Sequence, residues 1–180
     1  MRKTRHINLR LSTILGIIFT IGLGTLLHFT FEWSKQNDII AFFSPVNEST
    51  WEHLKMLAFP MLIYSILEYI KIGPVYDNYM IAKALGVLSG MIAIVMLFYT
   101  YTGIIGKNST IVDIIIFILS VVLAFCISNY LLNHHIFRSS IFQPIGVILI
   151  LCIVIAFMWF TNFPPKIALF LDPSTKSYGY

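Results

Sequence analysis

The sequence predicts an all-α, polytopic transmembrane helix bundle of about five spans, organised as a single integral membrane domain over residues 1–180. Two observations carry that prediction. Hydrophobic residues make up 58% of the chain, charged residues only 11%, and the mean hydropathy is +0.84. Soluble domains carry about a quarter charged residues, so this chain lacks the polar side chains to cover itself in water. The apolar residues also fall into five runs, at about 11–31, 51–70, 79–102, 111–132 and 141–163, with a tail at 164–180. Each run approaches the roughly 20 helical residues that cross a hydrocarbon core about 30 Å thick.

The first run, Leu11 to Phe31, is interrupted only by small residues and His28. Its basic lead-in and Gly22-Leu23-Gly24 resemble a cleavable signal peptide. The apolar run continues past that point, however, so an uncleaved signal-anchor is expected. The second run carries Pro60, which has no N–H to offer the carbonyl of Met56, and a bend is expected there. Gly16, Thr20 and Gly24 on the first run recur at four-residue spacing, as do Ala82, Gly86 and Gly90 on the third. Small residues at that spacing let helices approach closely in lipid. Connections between spans two to five are short, which makes consecutive helices antiparallel neighbours. Cys126 and Cys152 lie in mid-run without disulfide or metal-ligand spacing and read as small core residues.

Charge sets the expected orientation. A cytoplasmic N-terminus places Arg2, Lys3, Arg5, Arg10, Lys71, Lys83 and Arg138 inside, and Lys35, Lys55, Lys107, Lys166 and Lys176 outside. The N-terminal cluster dominates this bias, predicting N-inside and C-outside. Trp33, Trp51 and Trp159 then fall near the outer ends, as an aromatic belt would place them. The net charge of +4 is too small and scattered for nucleic acid. The lipid bilayer is the expected partner, and no protein partner can be named.

The candidate chemistry sits between the first two spans. His28 and Glu32 are four apart on one helix face, and Glu48 and Glu52 are four apart with His53 adjacent. An antiparallel hairpin brings these ends to one depth, so His28, Glu32, Asn47, Glu48, Glu52 and His53 can converge, with Lys55 and Asp113 at the border. Imidazole and carboxylate ligands suit Zn, Mn or Fe, and His28, Glu32, Glu52 and His53 are the candidate metal ligands. Glu48, Glu52, His53 and Asn47 are the candidate catalytic residues: the carboxylates as general acid or base, Asn47 as an oxyanion donor. The chain contains no HExxH and no Gly-x-Ser-x-Gly elbow. A purely structural account stands beside this one. Ser49-Thr50-Trp51-Glu52 reads as a capping box, with Glu52 reaching back to the Ser49 N–H and Glu48 complementing the helix dipole.

At the other end, Glu68 is expected to pair with His134 or Lys71 at headgroup level, near Asn129, Asn133 and His135. Only Ser65, Ser89, Ser120 and Ser128 lie at intermediate depth, which argues against a conducting path. The tail, with Pro164-Pro165 stopping the last helix and an apolar Ile167–Leu171, either lies over the outer cluster as a lid, contributing Asp172 or Lys166, or serves as an interfacial anchor.

The runs FSPVNESTWEHLKM, LLHFTFEWS and FPPKIALFLDPSTKSYGY resemble a family of small bacterial multi-pass membrane proteins catalogued as a domain of unknown function. The Asn-Glu-Ser-x-Trp-Glu-His run at Asn47–His53 is the most specific part. The resemblance implies a bacterial plasma-membrane protein, of the Gram-positive kind, and carries no catalytic residues with it. Three function classes remain: a membrane-embedded hydrolase or transferase on a lipid or envelope substrate, a small-solute-binding module, and a structural or regulatory membrane partner.

Overall fold

The computed structural model describes residues 8–134 and 136–180, all of which are helical or irregular apart from one isolated bridge, Leu171 to Tyr178. The helices among them are α1 (Leu9–Trp33), α2 (Asp38–Ala41), α3 (Thr50–His53), α4 (Lys55–Tyr69), α5 (Tyr79–Ile105), α6 (Thr110–Asn133) and α7 (Phe142–Asn162). Four of them, α1, α5, α6 and α7, are long and apolar enough to cross a membrane. The expected second span is split. Its helix is interrupted at Leu54 into α3 and α4, and it continues through Pro60.

That split element occupies the centre. α4 packs on α1 and α5, while α6 packs on α5 and α1, and α7 packs on α5. Leu57, Ala58 and Met61 of α4 are fully buried, and with Val87, Val121, Ala124, Phe125 and Phe157 they form the main core. The distribution of polarity is inverted relative to a soluble protein. Ile18, Ile66, Met96, Ile104, Ile111 and Ile155 lie exposed on the outside, whereas Thr20, Ser65, Glu68, Lys83, Ser120 and Ser128 are buried. Such a surface is stable only against hydrocarbon, and intramembrane polar groups belong in the interior. Cys126 and Cys152 are exposed on these outer faces rather than packed in the core, where an apolar thiol costs nothing against lipid.

Close packing follows the small residues. Gly16, Thr20 and Gly24 are all buried on the inner side of α1, and Ala82, Gly86 and Gly90 on that of α5. A side chain at Gly146 of α7 would stand 2.3 Å from the backbone nitrogen of Ile81, so α5 and α7 meet almost backbone to backbone there. Because the long helices alternate in direction, the α1 C-terminus, the α3–α4 start, the α5–α6 turn and the tail gather at one end, the tail end. The α1 N-terminus, the α4 C-terminus and the α6–α7 turn form the opposite end.

Candidate functional site

Lys55, the first residue of α4, organises the tail end. Its side chain is fully buried, so its ammonium must find every partner inside the protein. It forms an ion pair with Glu52 Oε2 at 2.5 Å and donates to Ala41 O at 2.8 Å, Ser44 O at 3.3 Å and Thr161 Oγ1 at 2.8 Å. One cation thus joins the α2 loop, α3 and α7. Glu52, itself 2% exposed, completes its shell with the Val46 N–H at 3.1 Å and the Thr161 hydroxyl at 3.4 Å.

This arrangement realises only half of the capping box. Ser49 Oγ accepts from the Glu52 N–H at 3.3 Å, but the Ser49 N–H donates to Asn47 Oδ1 at 2.9 Å instead of to Glu52. The buried ammonium supplies the physical reason, since an ion pair one turn along outweighs a neutral amide as a partner for the carboxylate.

With Glu52 so engaged, a different subset of the candidate residues comes together. Ligand atoms of His28, Glu48 and His53 all lie within 4.8 Å of one another. His28 and His53 stand with ring centroids 5.3 Å apart, and His53 Nε2 lies 3.5 Å from Glu48 Oε2. A tetrahedral ion with bonds of about 2.0–2.1 Å spaces its ligands about 3.4 Å apart, close to the His53–Glu48 separation. His53 Nδ1 sits 2.9 Å from Ser49 O, so with the proton on Nδ1 the ring is oriented and the Nε2 lone pair faces Glu48. His28 Nδ1 is buried with no hydrogen-bond partner among the described residues. Glu48 is exposed and His53 half-buried, so the group opens to the surface. Glu32 is exposed one helical turn beyond His28. Asn47 faces the tail, donating from Nδ2 to Gly179 O at 3.0 Å. Asp113 lies apart, accepting a hydrogen bond from Tyr101 at the α5–α6 turn.

The tail lies back over this end. The Tyr180 N–H donates to Thr161 O at 3.1 Å, its hydroxyl reaches Asp38 Oδ1 at 2.8 Å, and its ring packs edge-on to Phe31. Phe170 inserts against Trp51, with centroids 4.9 Å apart. Asp172 is buried and accepts from the Ser174 N–H at 2.7 Å and the Thr175 hydroxyl at 2.9 Å. Burial raises the Asp172 carboxyl, but these bonds, with the backbone N–H groups of Thr175 and Glu48, outweigh it and hold the carboxyl below the usual carboxylate range. Asp172, like Gly179, is thus a tail residue that touches the Glu48 segment, while Lys166 is exposed. Of the three tryptophans, Trp33 and Trp159 are exposed, and Trp51 packs on Phe157, Phe160 and Phe170. Only Trp51 is turned into an aromatic cluster of the interior.

The opposite end holds a second buried ion pair whose partner the sequence did not identify. Glu68 pairs with Lys83 of α5 at 2.5 Å, and not with His134 or Lys71. Glu68 also accepts from the Tyr79 hydroxyl at 2.7 Å and the Ser12 hydroxyl at 2.6 Å. Tyr64 OH in turn donates to Ser12 O at 2.7 Å. The Lys83 ammonium stands over the Tyr79 and Phe125 rings, 5.2 and 5.8 Å from their centroids. His134 is exposed and stacks on Tyr130; His135 lies outside the described residues. One signal was available: Lys83 falls inside an apolar run, where an unpaired ammonium would be costly.

No curated protein and no solved structure matches this chain. A family model matches it over residues 1–180, and the chain therefore belongs to a family of unknown function, DUF6512.

Proposed function

We propose that this protein is a membrane-embedded, metal-dependent hydrolase or transferase acting on a lipid or envelope substrate at the tail end of the bundle. The observation that carries the reading is the convergence of His28, Glu48 and His53 on one volume, with His53 Nδ1 tied to the Ser49 carbonyl. Three protein ligands and an open fourth position make the usual arrangement of a catalytic zinc-class site, in which the ion acidifies a bound water toward neutrality. Glu32, exposed one helical turn from His28, is the carboxylate proposed as general base. Glu52 serves the site by anchoring Lys55, which holds the loop carrying Glu48 against α7. The solute-binding alternative needs aromatic walls, which the dispersed tryptophans do not supply.

The N-terminal basic cluster supports a cytoplasmic N-terminus, and the resemblance supports a bacterial plasma membrane. Together they would put the site on the outer side.

The test is elemental analysis of the detergent-purified full chain beside His28→Ala and His53→Ala variants, with thermal melts to confirm folding. The expected result is near one equivalent of zinc, manganese or iron in the parent and a loss of it in both variants. A parent that stays metal-free after incubation with all three ions would overturn the proposal. The metal-loaded parent is then assayed for release of acyl or phosphoryl groups from vesicle lipids.

A further inference from the structure

A cleft of about 800 Å³ opens between α1 and α4 at the opposite end, lined among others by Leu11, Leu15, Leu67, Ile70, Glu68 and Lys71. The volume lies within the range of roughly 300–1,000 Å³ typical of small-molecule sites. Its walls are apolar and face outward: Leu11, Leu15, Leu67 and Ile70 are all exposed. Its floor carries Ser12, Tyr64 and Glu68, but their hydrogen-bonding capacity is turned inward. Ser12 donates to Glu68, Tyr64 to the Ser12 carbonyl, and Glu68 is neutralised by Lys83. The floor therefore asks nothing polar of an occupant. Besides the exposed amide of Asn8 at the start of α1, Lys71, just past the end of α4, is the exception. It is exposed and makes no ion pair among the described residues.

We infer that this cleft binds an anionic phospholipid, one acyl chain lying along Leu11, Leu15 and Leu67 and the phosphate meeting Lys71. Three features fix the class of ligand. The cleft opens on the apolar outer face of α1, a helix long and apolar enough to cross a membrane, and of α4 beside it, where the available molecules are lipids. Apolar walls over a saturated floor accept hydrocarbon and reject a polar solute. Among the described residues that line the cleft, the one charge without an ion pair sits where α4 ends, and a lysine there extends its ammonium to headgroup depth while its stem stays on apolar surface. This inference is independent of the metal reading, which concerns the other end of the bundle.

The experiment is native mass spectrometry of the full chain in detergent, titrated with dioleoylphosphatidylglycerol or dioleoylphosphatidylcholine. One basic residue near a phosphate is worth about a five-fold preference, so the anionic lipid should be retained at least about five-fold more than the zwitterionic one. Lys71→Glu should abolish that preference, and Lys107→Glu, an exposed lysine at the other end, should leave it intact. Leu15→Trp, or Leu11→Trp should the first fold poorly, should fill the cleft and lower retention of both lipids. Equal retention of the two lipids by the parent, or a preference that survives Lys71→Glu, would overturn the inference. Displacement of the anionic lipid by glycerol 3-phosphate would assign Lys71 to free phosphate and overturn it as well.

Discussion

The backbone oxygen of Met56 faces the Cα of Gly24, so closely that a side chain built on Gly24 would stand 2.3 Å from it. Met56 is the residue whose carbonyl loses its helical donor to Pro60 four positions on. The glycine of α1 thus seats against the turn of α4 where the proline leaves an oxygen free of the helix ladder. Gly24→Ala is expected to cost about 1–3 kcal/mol through overpacking against backbone that cannot rotate away. Gly22→Ala, two residues earlier with nothing within 4 Å, should be neutral or slightly stabilising. Thermal melts of the two variants in one detergent make the comparison.

The Glu52–Lys55 pair predicts a strongly non-additive cycle. Glu52→Gln or Lys55→Met alone leaves a buried charge without its counter-ion, at an expected cost of about 3–5 kcal/mol. The double variant Glu52→Gln/Lys55→Met should recover a substantial part of that loss, because neither charge then remains to be compensated. Equal additive losses in melting temperature would show that the pair contributes only through packing.

At the opposite end the Tyr79 hydroxyl bonds both Glu68 Oε2 and Ser65 O, each at 2.7 Å, from a side chain that is fully buried. Tyr79→Phe keeps the ring beneath the Lys83 ammonium and removes only the hydroxyl, leaving a buried carboxylate one donor short. The expected loss is about 1–3 kcal/mol. Tyr69→Phe, on an exposed neighbouring ring, should change the melting temperature little.

Asp172 predicts a pH dependence of tail seating with a definite sign. Its folded carboxyl titrates below the ordinary range, so the folded tail binds fewer protons than the released tail between the two values. The stabilisation is complete above the ordinary carboxylate range and is lost as pH falls through the lowered value. Hydrogen exchange at Ser174 and Thr175 should therefore stay protected at neutral pH and accelerate, after correction for intrinsic rates, in strong acid. In Asp172→Asn the protection should be weaker at neutral pH and should no longer change through that interval.

Much of the fold was legible because lipid imposes a simple rule on sequence. A segment crossing hydrocarbon must be long, apolar and helical, and α1, α5, α6 and α7 meet that rule residue by residue. The second span was harder. Most of α4 is buried among its neighbours, with Ile66 and Leu67 left on the outer face, so its 15 residues and the interruption at Leu54 answer to packing and to two buried ion pairs as well as to bilayer thickness. At the tail end, helical spacing of four brought His28 and Glu32 to one face, and Glu48 and Glu52 likewise. Spacing is blind to whether a loop turns a side chain into the bundle or away from it. Glu52 turned in to Lys55 while Glu48 stayed out with His53.

Composition and periodicity specified what each segment is, an apolar helix of a given length with polar residues at known turns, because those are one-dimensional properties set by transfer from water to hydrocarbon. The pairing of charges belongs to three dimensions. Glu68 had Lys71 three residues away and His134 at a matching depth, yet it took Lys83. A carboxylate that folding removes from water pairs with the ammonium buried beside it, and only the packing of α4 against α5 determines which one that is.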